Sequence, residues 1–137
     1  MAVESIKDLF ASKIDRRIEE VIKVDQTDEA LIRDELNEYV VTHSILAHLQ
    51  AFFEHYLATW RNPCEAIAIW VAGFFGAGKS GYSKYTGLAI ANRDILGQGA
   101  GELLAQRCQD PKIQVLLQTI NEQIPTEAVI FDVSTDR

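Results

Sequence analysis

The sequence predicts an α/β fold: strands of a parallel sheet in the second half, preceded by a helical N-terminal region. Three observations predict it. Two short runs, AIAIWVA at 66–72 and AVIFDV at 128–133, are apolar on both faces, as strands in the middle of a parallel sheet are. The residues between them carry helical spacing, which a right-handed crossover between parallel strands requires. A glycine-rich loop follows the first run directly.

The elements follow in order. In residues 1–25, Ile6, Leu9 and Phe10 share one helical face, as do Ile14 and Ile18. Val21, Ile22 and Val24 are suited to a short extended piece. A helix starts near Asp28, with Thr27 or Asp25 as its cap and Asp28 and Glu29 at its positive end. Thr42 caps a second helix. Its apolar residues Ile45, Leu49, Phe52, Phe53, Tyr56 and Trp60 recur every three or four positions, and Arg61-Asn62-Pro63 ends it. After the loop, helix is expected from about Lys79 to Asn92, then a flexible break GQGAG at 97–101. Two helices, 102–109 and 112–123, follow, separated by Asp110-Pro111. No repeat or low-complexity segment interrupts this order.

Composition narrows the function. The 137 residues are 47% hydrophobic and 24% charged, enough apolar material for a core. The net charge is −7 and no basic stripe exists, so electrostatics alone does not draw the chain to nucleic acid. Cys64 and Cys108 form no CxxC and have no His at metal-ligand spacing, as expected of two reduced thiols in a cytoplasmic protein. The N-terminus lacks an apolar signal core, and no run is long enough to span a membrane.

The chemistry is carried by Gly73-Phe74-Phe75-Gly76-Ala77-Gly78-Lys79-Ser80, which matches G-x-x-x-x-G-K-[ST], the P-loop. Glycine lets the backbone wrap closely round phosphate oxygens. The successive N–H groups form an anion nest, and the next helix points its positive end at the same place. The nucleotide-binding residues expected are therefore Gly73 to Ser80 and Gly81, with ATP and Mg²⁺ as ligands. Lys79 is the catalytic candidate, a mobile point charge for the β- and γ-phosphates. Ser80 is the candidate Mg²⁺ ligand, an oxygen donor for a hard cation. A chance match in a chain this long is roughly a one-in-two-hundred event, so the pattern outweighs an ordinary glycine-rich turn. The fold expected is then a partial P-loop NTPase parallel sheet. Residues 1–62 form a helical extension and residues 63–137 the first part of the nucleotide-binding domain. Two strands fall short of the roughly five a doubly wound sheet uses, so the chain is expected to be the N-terminal portion of a longer protein.

Other residues have blander explanations. AVIFD has the form of a Walker B strand ending in Asp132, but in many P-loop folds that acid lies one strand later, leaving Asp132 at the tip of an ordinary buried strand. Asp136 is weaker still. His48 and His55 sit seven apart on the long helix without a third metal ligand, and His43 sits at its start. Tyr82 and Tyr85 read as helix packing before base stacking. Arg93 reads as a cation near a helix C-terminus before an arginine finger. The Phe52–Trp60 stripe reads as core before a docking surface.

The run IDRRIEEVIKVDQTDEALIRDELNEYVVT, then IAIWVAGFFGAGKSGYSKYTGLAIANRDILGQGAGELL, then IPTEAVIFDVSTDR, resembles the N-terminal region of the BREX phage-defence ATPases, the BrxC/PglY family. The resemblance runs from about Ile6 to the last residue. VIKVDQ, EYVVT and WVxGFFGxGKS are its most telling pieces, since the P-loop alone is common to many families. Gly73, Gly78, Lys79 and Ser80 match the family's nucleotide loop. Asp132 matches a strand before the one expected to carry the family's Walker B acid. Gly81 and Ala77 depart from the family pattern, in which Ser or His is usual at the first position and Ser is frequent at the second. The resemblance implies a longer cytoplasmic ATPase working with other BREX components, a DNA methyltransferase and a phosphatase-like protein, to restrict phage DNA. It leaves self-association to a homo-oligomer open. Two other functions remain in view: a nucleotide-dependent scaffold or interaction module, and a small P-loop phosphotransferase, for which no acceptor site or lid can be found.

Overall fold

The computed structural model describes residues 5–10, 22–65 and 68–133. The expectations for Ile14, Ile18, Val21 and Asp136 lie outside the described residues. A short 3₁₀ helix, η1 (Ile6–Leu9), comes first, with Ile6, Leu9 and Phe10 exposed. Among the described residues five α-helices follow: α1 (Glu29–Glu38), α2 (His43–Arg61), α3 (Lys79–Ile90), α4 (Ala100–Cys108) and α5 (Pro111–Gln123). A hairpin of two short strands, β1 (Asp94–Ile95) and β2 (Gln98–Gly99), joins α3 to α4.

The helix starts follow from capping chemistry. Asp28 caps α1, its carboxylate accepting from the Ala30 and Leu31 amides at 3.0 and 3.3 Å. The cap is therefore Asp28 and not the expected Thr27 or Asp25. Thr42 caps α2 through the Ile45 amide at 3.2 Å. Asp110 caps α5 through the Ile113 amide at 2.9 Å, with Pro111 at the first helical position, where its missing N–H is harmless.

α4 is the centre of the packing. Ala100, Gly101, Leu103, Leu104, Ala105 and Cys108 are all buried, and α4 packs on α1, α3 and α5. α2 adds Leu49 and Phe53 against α5. At Gly101 an added Cβ would overlap the Asn121 side-chain carboxamide and sit 3.2 Å from the Ala89 carbonyl oxygen, so glycine lets α3, α4 and α5 meet this closely. α1 is tied to α3 by an ion pair: buried Lys84 donates to Glu35 at 2.6 Å and to the Lys23 carbonyl at 2.8 Å. Breaking such a pair leaves a charge out of water with no partner.

The expected parallel sheet is not formed. Among the described residues the sole sheet is the antiparallel hairpin, pairing Asp94 with Gly99 and Ile95 with Gln98. Residues 68–74 and 124–132 belong to no helix or strand. Trp70 is 91% exposed and Phe131 72% exposed, where central strands would be covered on both faces. An apolar run records a tendency to leave water. A strand also needs a neighbouring backbone for its N–H and C=O groups. Segment 128–130 instead lays alternate residues on α3, where the Ile130 side chain faces Gly87 closely enough to meet a Cβ at 3.3 Å.

The expected flexible break at 97–101 is likewise ordered. Leu96 and Gly97 both take positive φ, +53° and +82°, as a tight hairpin turn requires. The Leu96 amide donates to Glu29 at 3.1 Å, fastening the turn to the start of α1. Ala100 and Gly101 are buried in α4.

Leu104→Ala should destabilise the fold by about 2–5 kcal/mol, the usual range for emptying a fully buried leucine site. Val115→Ala, on the exposed side of α5, should cost under about 0.5 kcal/mol. Urea unfolding of the two variants would show similar losses if α4 were not the centre of the core.

Candidate functional site

The loop runs from Gly73 to Gly78 and turns into α3 at Lys79. Gly76 and Gly78 occupy the left-handed region, at φ +78° and +80°, which L side chains rarely adopt. A Cβ at either would meet nothing within 4 Å, so the backbone conformation, and not crowding, calls for glycine. The loop curls back on itself: the Ala77 amide donates to the Phe74 carbonyl at 3.1 Å. A Cβ on Gly73 would touch the Ala77 Cβ at 3.4 Å and the Lys79 side chain at 3.7 Å. Lys79 Nζ donates to the Gly73 and Phe74 carbonyls at 2.9 and 2.7 Å, which holds the ammonium over the loop.

α3 begins without a side-chain cap, unlike α1, α2 and α5. Its first intrahelical donor is the Tyr82 amide, bonded to the Gly78 carbonyl at 2.9 Å. The Lys79, Ser80 and Gly81 amides precede it and have no acceptor within the helix. Donors and dipole thus point together at the loop. Ser80 is exposed beside them. Gly81 is buried: a Cβ there would lie 3.0 Å from Ile22 and 3.2 Å from the Tyr85 ring. Its glycine therefore has a packing reason, the close approach of α3 to the segment before α1.

The loop opens onto a cleft of about 590 Å³. Ala77, Gly78 and Lys79 form one side, and Ile69 to Ala72 another. α2 supplies Ile45, His48, Ala51, Phe52 and His55, and Tyr39 and Tyr82 complete it. His48 and His55 thus come together with Lys79 at one cleft, which their spacing in sequence did not reveal. Their helical face was the one signal, and it pointed equally to solvent. Among the described residues no group of three or more His, Cys, Asp or Glu could hold a metal ion. Asp132 is exposed near the end of the second extended segment. Tyr85 is core, its ring edge-on to Tyr39 at 4.8 Å. A second cleft of about 600 Å³, between α4 and α5, mixes carboxamides and carboxylates with small and apolar residues and contains none of the loop residues.

Burial raises the proton affinity of Tyr39 and Tyr82 at the cleft and of Cys108 in the core. Tyr39 is pushed up to about 12 by desolvation first, then by Tyr82 and Cys108. Desolvation likewise raises Tyr82 and pushes Cys108 up to about 11, with Asp110 adding to the latter.

No protein-family model matches the chain, and no solved structure matches it. No helix among the described residues is long and apolar enough to cross a membrane.

The raised tyrosine and thiol values carry a sign. The folded state holds these protons more tightly than the unfolded chain, so the stabilisation is complete below the ordinary values, near 9 for the thiol and 10 for the phenols. It is lost as pH rises through about 11 and 12. Melting temperature should fall between pH 9 and 12, and a flat profile to pH 12 would contradict the burial of these groups.

Proposed function

We propose that residues 73–81 bind the polyphosphate of a nucleoside triphosphate, with ATP and Mg²⁺ as the ligands. The observation that carries the reading is the pair of left-handed glycines, Gly76 and Gly78, leading into an uncapped helix with Lys79 folded over the loop. The carbonyl contacts of Lys79 are exposed, so its ammonium can exchange them for β- and γ-phosphate oxygens. The Ser80 hydroxyl supplies one oxygen to Mg²⁺, which commonly takes one or two protein ligands and completes its shell with phosphate and water. In hydrolysis Lys79 and the loop amides would stabilise the charge that develops on the phosphoryl oxygens. No residue of the cleft is assigned to orient the attacking water, so binding with little turnover is expected of this chain.

The resemblance to the BREX ATPases extends the proposal to ATP hydrolysis in phage defence, in the cytoplasm and together with a methyltransferase and a phosphatase-like protein. A second reading, a nucleotide-dependent interaction module, is favoured by the exposure of Trp70, Phe74, Phe75 and Phe131.

Titration calorimetry with Mg-ATP tests the site. Lys79→Ala should weaken binding about 10- to 100-fold, the worth of one or two charge-assisted hydrogen bonds, and leave the urea midpoint unchanged. Equal affinity in the variant would remove Lys79 from the site. Turnover by the 137-residue chain that Lys79→Ala abolishes would overturn the expectation of little hydrolysis.

A further inference from the structure

We propose that the cleft between α2 and residues 69–72 receives the base and ribose of the nucleotide whose phosphates lie on the loop. The inference rests on the phosphate-loop reading and goes beyond it, because the loop pattern says nothing about where the nucleoside end sits. Three features support it. The cleft shares Ala77, Gly78 and Lys79 with the loop, so a ligand anchored there by its phosphates has this space beside it. Its volume, about 590 Å³, falls within the range of small-molecule sites. Its lining also suits a flat group with apolar faces and polar edges. Phe52 and Trp70 offer rings for stacking, and Phe52 is itself held in place by Tyr56, whose ring lies 6.2 Å away and 11° from parallel. His48 and His55, roughly one helical turn to either side of Phe52 on α2, offer ring nitrogens that can donate to or accept from base and ribose. Ala51 leaves the space between them open.

The nucleoside and phosphate contributions separate experimentally, because inorganic tripolyphosphate carries the second without the first. Trp60→Phe leaves Trp70 as the one tryptophan of the chain, which has two. Mg-ATP should quench its fluorescence, and magnesium tripolyphosphate should bind without changing it. Ala51→Leu, an exposed substitution by a good helix former, should weaken ATP about tenfold by filling the cleft and leave tripolyphosphate affinity as in the parent. If both ligands bind with equal affinity, Trp70 is silent and Ala51→Leu has no effect, the nucleoside lies elsewhere and this inference fails while the phosphate loop stands. If neither ligand binds, both readings fall.

Discussion

The burial of α4 among α1, α3 and α5 is the constraint on which the rest of the structure depends. Leu104 is fully enclosed, and Gly101 allows the α3 backbone to approach to contact distance. That contact fixes the axis of α3, and the axis fixes where its N-terminal amides point. Lys84 secures the same helix from the other side through Glu35 and the Lys23 carbonyl. The loop itself is exposed, so its amides owe their direction to a helix held at its far end. Loops positioned by rigid elements are where binding residues commonly lie.

The cleft is a product of the same arrangement. α2 packs on α5 through Leu49 and Phe53, leaving a neighbouring face, with His48, Ala51 and His55, turned toward the loop. Phe52 lies between these two faces, half-buried and edge-on to Phe53 at 5.5 Å. The Phe52–Trp60 stripe therefore divides. Phe53 is fully buried, Phe52 lines the cleft, and Trp60 is exposed.

Local chemistry was readable in the sequence, and long-range pairing was not. The left-handed turns at Gly76 and Gly78, the Thr42 cap and the break at Asp110-Pro111 are each set by neighbours within a few residues, and each appears where local chemistry favours it. Two apolar runs about 55 residues apart suggest a parallel sheet, but nothing within either run specifies its partner backbone. The hairpin at 94–99 was missed because Leu96 takes a positive φ that leucine seldom adopts. The spacing of Asp94 from Gly97, whose amide it accepts at 3.1 Å, was the available signal. Nothing in the sequence marks Lys84 as buried, because its acceptors, Glu35 and the Lys23 carbonyl, lie 49 and 61 residues away in the chain.

If the backbone amides at the start of α3 cradle a triphosphate, they must respond to its arrival. Amide chemical shifts on addition of Mg-ATP test this most directly. Large shifts are expected at Gly76, Gly78, Lys79, Ser80 and Gly81, and inorganic tripolyphosphate should reproduce them. Unchanged amides at these positions, with shifts confined to other parts of the chain, would contradict the cradle.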